Sequence, residues 1–517
     1  MSFEAWSELA LDALWYEVDD LEILLKPFGQ IVVTSRNIKV ENATSYSYDP
    51  WRIITETTYE LQSLPSHSQW LRFQQLYAPR VRILRLKVED PHKAQSLVNL
   101  LSQIRSFEPL LPNLRTVKWN RLFAKGLREP VFAFTHERIQ QFDLTDTGEY
   151  SLGKYIACEA IVTRMPNLTK LALNIEPDVK YVPALINMIK GLKSLQLLTI
   201  PPFFDMSSII VFLSVLQGLK ELRIFSPQNG RVVKTLKYHR DAASVYFPVL
   251  ESLTIFCNYE TTSALFCHEI PHLKHIHVLT PIRERPIHVQ GLLAKISNTC
   301  PRVTQISLGI KYGTIHAQEV KQSFSPDCLV TLETISPILR SSISSFRIQH
   351  PLPLDFGLND IDVIASSWPR LKILNLGCDP LAVQQPTIHK LGLQAIFPFI
   401  RHCPDMEELG LFIDAKSSDI PLTVEIDALP KPFARLRILS FGMSDIGHEN
   451  VIAQFLSFIC NQGCVVQHGT SWYQATSPQD SAKRWGDVNT LLKHLLVVRA
   501  WYERKLSSEV RKLQIKK

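Results

Sequence analysis

A single phrase, Pro-x-Leu-x-x-Leu-x-Leu, recurs along the chain and limits what the chain can fold into. The phrase is clearest from Met165 to Leu173, and it returns from Trp368 to Leu376. Self-similarity at a period of 20–50 residues is the signature of a repeat architecture. Thirteen units carry apolar residues at the three leucine positions, and the first apolar residues of these units lie 23 to 40 residues apart: Val81, Leu114, Ile139, Leu168, Leu195, Leu219, Leu250, Leu273, Val303, Ile343, Leu371, Met406 and Leu436.

Each unit is predicted to form a short strand followed by a helix. The end of the phrase alternates apolar and polar residues with period two, as a strand with one buried face does. Stretches with helical spacing lie between the phrases, for example at 182–192 and 388–400. One such unit cannot bury its own apolar face, so neighbouring units must stack. The sequence therefore predicts an α/β fold, a leucine-rich-repeat solenoid with a curved parallel sheet on its concave side and helices on its convex side. An ordinary doubly wound α/β domain also alternates strands and helices, but it does not explain the recurrence of one phrase.

Three regions are predicted from the position of the repeats. Residues 1–79 are expected to form an N-terminal helical segment and linker, residues 80–470 the solenoid, and residues 471–517 a C-terminal helical cap or tail. Longer insertions between repeats are expected to be surface loops; they are 226–247, 310–330, 349–367 and 413–432.

The C-terminal segment carries one apolar stripe at helical spacing. A terminal repeat needs a cover, so this helix is expected to pack on the end of the solenoid. Because its end is basic, a partner-binding or membrane-surface helix is the alternative. The stripe consists of Trp485, Val488, Leu492, Leu495 and Tyr502.

Bulk composition favours an intracellular chain, in the cytoplasm and/or nucleus. The 517 residues are 45% hydrophobic, and 56 basic residues stand against 49 acidic ones, which is too small an excess to indicate a nucleic-acid partner. The nine cysteines are odd in number and scattered, as reduced core thiols are. Glu4, Glu8 and Asp12 interrupt the first apolar stretch, which argues against a signal peptide. No run reaches the roughly 20 apolar residues of a membrane span, so no membrane partner is expected.

The N-terminal segment resembles a known module. Trp6 to Val18 has the pattern Trp-x-x-Leu-Ala-x-x-x-Leu-Trp-x-x-Val, which resembles the closing part of an F-box. The stretches Trp70 to Arg82 and Leu110 to Arg115 resemble the linker between F-box and repeats in fungal F-box proteins. Over most of its length the chain therefore looks like a member of the fungal F-box/leucine-rich-repeat protein family, and the resemblance implies that residues 1–79 are a partial F-box-like helical segment and linker.

This resemblance implies a substrate receptor of an SCF-type ubiquitin ligase. In the family, the F-box docks on the Skp-type adaptor of a cullin–RING ligase while the repeats capture the target. The matching positions are Trp6, Leu9, Ala10, Leu14, Trp15 and Val18, and the resemblance makes Trp6, Leu9, Leu14 and Trp15 the adaptor-binding candidates.

The resemblance also leaves two alternatives open. The chain begins five residues before Trp6, so the first half of an F-box is expected to be missing, through truncation or because the protein no longer binds the adaptor. In the second case Trp6 to Val18 is an amphipathic helix that caps the first repeat, and the protein is a free-standing scaffold that binds other proteins.

The sequence predicts neither a catalytic nor a cofactor site. The sequence contains no nucleophile elbow or zinc-protease motif, so an enzyme is not expected. One cluster has ligand-type residues, at Cys267, His268, His272, His275 and His277. His275 and His277 project from the same strand face, whereas Cys267 and His268 would have to fold back across a loop to complete a zinc site. Two surface histidines on a binding face are therefore expected, and no metal.

The residues between the buried leucines are expected to choose a protein partner on the concave face. Phe225, Phe256 and Leu279 occupy the seventh position of three units, and they are predicted to form an exposed patch beside charged and polar side chains. The alternative is that helices or loops bury this position. The candidates for partner binding are Arg223, Phe225, Phe256, His275, His277 and Arg347.

Overall fold

In a computed structural model, the chain divides into two compact units. Unit 1 comprises Met1–Phe203 and Leu216–Arg231, and unit 2 comprises Phe204–Val215 and Val232–Lys517. The described residues are 3–41, 51–63, 65–88, 97, 99–100, 109–121, 130–146, 151–225, 233–236, 246–310, 326–381, 391–416, 433–469 and 479–515. Most residues of the insertions 226–247, 310–330 and 413–432 lie outside them.

Seven parallel strands form the sheet of unit 1, in the order β1-β4-β5-β6-β7-β8-β9. A separate antiparallel pair, β2 with β3, precedes the repeats. The strands of the unit are β1 (Glu17–Val18), β2 (Ile31–Glu41), β3 (Trp51–Leu61), β4 (Ile83–Val88), β5 (Thr116–Arg121), β6 (Gln141–Asp146), β7 (Lys170–Ile175), β8 (Leu197–Ile200) and β9 (Glu221–Ile224).

Eight parallel strands form the sheet of unit 2, in the order β10-β11-β12-β13-β14-β15-β17-β19. A short parallel pair joins β16 and β18. The strands are β10 (Ser252–Phe256), β11 (His275–Thr280), β12 (Gln305–Ile310), β13 (Ser345–Ile348), β14 (Ile373–Leu376), β15 (Glu408–Leu411), β16 (Asp414–Ala415), β17 (Ile438–Gly442), β18 (Asp445–Ile446) and β19 (Val465–His468).

Helices connect most of the strands, as the spacing between phrases predicts. The chain between α3 and β4 continues as a π-helix, Phe73–Tyr77, and a 3₁₀ turn, Ala78–Arg80. The α-helices are α1 (Phe3–Trp15), α2 (Leu21–Leu25), α3 (His67–Arg72), α4 (Ser151–Arg164), α5 (Val182–Gly191), α6 (Ser207–Leu213), α7 (Tyr259–Thr262), α8 (Pro286–Thr299), α9 (Leu332–Ile335), α10 (Leu358–Ser367), α11 (Phe397–His402), α12 (Glu449–Ile459) and α13 (Gln479–Ile515).

The repeated phrase places its strand in every one of the thirteen units. In each unit the three leucine-position residues are buried, and the strand contains the second and third of them. Parallel register keeps these residues in line: Leu253, Ile276 and Ile306 are paired in succession on β10, β11 and β12. The fold is the predicted leucine-rich-repeat α/β solenoid, in which the apolar residues of each repeat form one layer of the core.

The proline of the phrase has a structural role beyond ending a helix. The buried residue before it accepts a hydrogen bond from the N–H three residues later, which is a β-turn with proline at its second position. Proline fits this position because its φ is fixed near −65°. Among the described residues seven turns of this kind occur, joining Leu111 to Leu114 (3.1 Å), Met165 to Leu168 (3.3 Å), Phe247 to Leu250 (3.4 Å), Ile270 to Leu273 (3.3 Å), Cys300 to Val303 (3.1 Å), Trp368 to Leu371 (3.0 Å) and Cys403 to Met406 (3.2 Å).

Helix α13 covers the last strand of unit 2 through its apolar stripe. Trp485, Val488 and Leu492 are buried, whereas Tyr502 is exposed. The Trp485 ring stacks on Phe441 with centroids 4.5 Å apart, and its Nε1 donates to the Ser444 carbonyl at 3.0 Å. The prediction of a cap is therefore confirmed for the first half of α13.

Two features of the fold differ from the prediction. The segment 349–367, expected as a loop, contains α10, whose Ile361, Ile364 and Ala365 are buried at helical spacing. The strands β1 and β19 have no copy of the phrase. They are short pieces that pair with the outermost phrase-bearing strand of their unit and so cover an otherwise open sheet edge.

Candidate protein-binding surfaces

Helix α1 contacts its unit through its charged side. The Arg80 guanidinium donates to the carboxylates of Glu8 and Asp12, which lie one helical turn apart on α1. These hydrogen bonds, the one to Glu8 most, raise the pKa of Arg80, whose guanidinium is charged in any case. Trp15, one turn further along the same face, packs its ring on Tyr77 with centroids 4.6 Å apart. Arg80 was not predicted, although the i, i+4 spacing of Glu8 and Asp12 was a signal in the sequence.

The opposite side of α1 is apolar and exposed. Trp6, Leu9 and Leu14 expose 63%, 53% and 72% of their surface, and Ala10 and Ala13 between them are also exposed. Residues 6, 9, 10 and 13 follow the i, i+3, i+4, i+7 spacing of one helix face. Leu14 lies one turn beyond Ala10 at the edge of this face, so three of the four adaptor-binding candidates, Trp6, Leu9 and Leu14, are accessible. The fourth, Trp15, is half-buried against Tyr77.

On the exposed sheet face of unit 1, polar side chains bond to one another. Arg85 pairs with Glu17 at 2.9 Å, and Lys118 lies 3.6 Å from Asp143. Arg223, a predicted partner-binding residue, is exposed and pairs with Glu221 of its own strand at 2.5 Å. This face therefore satisfies most of its own charges.

The exposed sheet face of unit 2 is different on β10, β11 and β12. Six polar side chains lie side by side in two register rows, and each is exposed or half-buried. Within the described residues, none of them has a side-chain hydrogen bond, so their donors and acceptors are open to a ligand. They are Ser252, His275 and Gln305 in the first row and Thr254, His277 and Ser307 in the second.

Arg347 borders this area on β13, in the same row as His277 and Ser307. Its Nη2 donates to Glu408, which is two strands away on β15. Burial, and to a smaller extent the charge of Arg347, lower the pKa of His277 below its ordinary value. The structure places His275, His277 and Arg347 on one surface together with Thr254 and Ser307, and their role in binding a partner stays a prediction.

The predicted aromatic patch does not form as expected. Phe256 is fully buried, so its predicted exposure is wrong. The Val233 main chain donates to the Phe256 carbonyl at 3.4 Å and forms a β-bridge with Cys257, so a segment outside the repeats covers this strand end. Phe225 and Leu279 are half-buried.

Reactive thiols and metal ligands are not concentrated at these surfaces. All nine cysteines are free thiols, and only Cys267 and Cys328 are not buried. Burial raises the pKa of Cys300 and of Cys403 to about 12, which keeps both thiols protonated. In the described part of the chain, no three His, Cys, Asp or Glu side chains are arranged to hold a metal ion. Nor does any described helix combine the length and apolar character that crossing a membrane requires.

Comparisons with known proteins add little to the geometry. No protein-family model and no curated protein matches the chain. Among the solved structures, 52 chains match. One is the crystal structure of the LRIM1 leucine-rich repeat domain, which covers 67% of this chain and 80% of that chain at 8% identity, with a TM-score of 0.19. At that TM-score the similarity carries no argument. The repeated phrase and the strand register themselves define the protein as a leucine-rich-repeat protein, a fold that typically serves as a protein-binding scaffold.

Proposed function

We propose that this protein is a substrate receptor in which the repeats capture a protein target and α1 docks on the Skp-type adaptor of a cullin–RING ubiquitin ligase. The leucine-rich-repeat fold supports the protein-binding part of this proposal. The adaptor part is supported by the resemblance of Trp6 to Val18 to the end of an F-box and by the exposed apolar face of α1. Cytoplasm and/or nucleus is the proposed location, which suits nine free cysteines.

The orientation of α1 is the observation that carries the proposal. A helix that only capped the first repeat would place its apolar residues inward, because burying one Leu or Phe side chain contributes about 1.5–3 kcal/mol. In α1 the carboxylates of Glu8 and Asp12 are held by Arg80, and the apolar residues Trp6 and Leu9 point away. An apolar helix face without an internal partner fits a groove on another protein.

The four adaptor-binding candidates divide into two roles in this proposal. Trp6, Leu9 and Leu14 contact the adaptor, since their side chains are exposed. Trp15 fixes the direction of α1 through its ring contact with Tyr77. The ion pairs from Arg80 to Glu8 and Asp12 add to this contact.

A binding assay with a purified Skp-type adaptor tests the proposal. Immobilised adaptor is incubated with the wild-type protein, with the double variant Trp6→Ser/Leu9→Ser, and with Trp501→Ser as a matched control. Trp501 is as exposed as Leu9 but lies on α13. The wild type and the control are expected to bind at one-to-one stoichiometry, and the double variant at least about tenfold more weakly, as hot-spot residues do.

Two results would contradict the proposal. A correctly folded wild-type protein that does not bind the adaptor would support the alternative, a free-standing scaffold that no longer serves a ligase. Equal binding of the double variant and the wild type would show that α1 is not the docking element.

A further inference from the structure

The exposed sheet face of unit 2 contains a trough that runs along β12. Its floor is Ser307, whose neighbours in the register row are His277 on β11 and Arg347 on β13. These two walls are two strand spacings apart, about 10 Å between backbones, which is wide enough for one extended peptide. After Ser307 the floor is Gly309, where an added Cβ would lie 3.0 Å from Leu279 Cδ2, and before Ser307 it is the longer, exposed side chain of Gln305. We call this feature the β12 trough.

One end of the β12 trough is closed by side chains from both walls. Leu279 leans over Gly309 from β11, and the Gln349 side chain accepts a hydrogen bond from the Ile310 N–H at 3.4 Å. Towards the other end lie Gln305 and His275, which are exposed and have no side-chain hydrogen bond within the described residues. A ligand in the trough therefore meets unpaired polar groups along one side and a closed end.

The hydrogen-bond donors around the trough suit a carboxylate, although Glu408 already offsets the charge of Arg347. Arg347 uses Nη2 for Glu408, and a guanidinium has five N–H donors, so it can hold a second carboxylate. The groups that face His277 are Thr254 on β10, Ser307 on β12, His275 on its own strand and Arg347 on β13, and no carboxylate is among them. The nearest acid on the β10 side, Glu251, is bonded to Lys274 at 2.8 Å.

His277 couples this site to pH. Burial, and to a smaller extent the Arg347 charge, lower the pKa of His277 below the ordinary histidine value, which favours the neutral ring in the free protein. A carboxylate placed beside it favours the imidazolium and raises that pKa. Since the free pKa lies below the bound pKa, affinity rises as the pH falls through the bound value and levels off at the free value.

We propose that the β12 trough binds an extended segment of a partner protein, with a carboxylate side chain of that segment between His277 and Arg347, and that His277 takes up a proton on binding. This inference rests on the proposed function, because it names the chemistry of the target that the repeats capture. It does not depend on the adaptor.

Selection from a displayed library of random dodecapeptides, performed on the full chain at about pH 6, tests the proposal. Enriched peptides are expected to share an Asp or Glu flanked by residues of extended propensity. Arg347→Ala should weaken their binding about tenfold, as expected for loss of a charge-assisted hydrogen bond. The matched control is Arg85→Ala, since Arg85 occupies the corresponding strand position in unit 1 and is likewise paired with a glutamate.

The pH dependence provides the second readout. Wild-type affinity should be about three- to tenfold higher at about pH 6 than at about pH 8. His277→Gln keeps a neutral hydrogen-bonding group and should remove that difference. The proposal is wrong if no peptide is enriched, if the enriched peptides lack an acidic position, or if Arg347→Ala and His277→Gln leave affinity and its pH dependence unchanged. If the enriched peptides bind unit 2 but contain no acidic residue, this inference is wrong and the proposed receptor function still stands. If the protein instead fails to bind the adaptor but selects acidic peptides, the adaptor part of the proposed function is wrong and this inference still stands.

Discussion

The N-terminal helix α1 exposes its apolar residues, whereas the C-terminal helix α13 buries those of its first half. In α13 the stripe Trp485, Val488 and Leu492 is buried against unit 2. In α1 the charged residues Glu8 and Asp12 contact unit 1, and the apolar face is exposed. Both helices have amphipathic sequences, so amphipathicity alone does not distinguish a cap from a docking element. A cap and a docking element differ in which face of the helix contacts the rest of the protein.

The difference has a physical origin in the residues that meet each helix. In unit 2, α13 meets the apolar ring of Phe441 and the edge strand β19. The Val466 N–H of β19 donates a hydrogen bond to Asn489 Oδ1 of α13 at 3.1 Å. Unit 1 offers α1 a cation, Arg80, whose Nε also donates to the Leu76 carbonyl at 2.6 Å and so is fixed in place. A fixed cation selects the acidic face of the helix, and the apolar face is left for a partner.

The largest expected effect is on the stability of unit 2. Trp485→Ala removes a side chain that is 1% exposed, and it should lower the free energy of unfolding by about 3–5 kcal/mol. Trp6→Ala, which removes the exposed tryptophan of α1, should change the free energy of unfolding by no more than about 0.5 kcal/mol. Urea denaturation followed by far-UV circular dichroism measures the free energy of unfolding of both variants. A loss of several kcal/mol from Trp6→Ala would show that α1 is a cap after all.

A smaller, local effect is expected from Arg80→Ala. This change removes both ion pairs to α1, so the helix should detach more often and its amides should exchange several-fold faster. Hydrogen exchange measured by mass spectrometry resolves α1 from the rest of unit 1. Lys118→Ala, which removes an ion pair to Asp143 on the sheet face, is the control and should leave α1 exchange unchanged. Unchanged exchange in Arg80→Ala would mean that other contacts hold α1.

The smallest effect is expected within α13 itself. Trp501 is 52% exposed, and residues 501–509 are all exposed. Trp501→Ala should therefore change the free energy of unfolding by less than about 0.5 kcal/mol, in contrast to Trp485→Ala on the same helix. A loss above about 2 kcal/mol, measured in the same urea experiment, would show that the cap extends further along α13 than the buried stripe does.

The sequence was sufficient for the strands and insufficient for some of the surface. All thirteen phrases contain strands, because three buried apolar residues at fixed spacing can be satisfied only by stacking identical layers. The stripe of α13 was identified for the same reason, although it ends before Tyr502.

The candidate site depended on groups from outside the local pattern. Phe256 follows the alternation of β10 and would be exposed if strands alone decided, but a distant segment at Val233 covers it. Similarly, the inward side of α1 is chosen by Arg80, far away in sequence. Which polar residues of the sheet face pair with one another, as Arg85 and Glu17 do, depends on strand order and cannot be read from a single repeat.

Hydrogen exchange with and without a purified Skp-type adaptor tests the central claim most directly. The claim is that α1 presents an apolar docking face, whereas the apolar stripe in the first half of α13 is already buried against unit 2. The account predicts that adaptor slows exchange in α1 and leaves α13 unchanged. Unchanged exchange in α1 at saturating adaptor, or protection of α13 in its place, would contradict it.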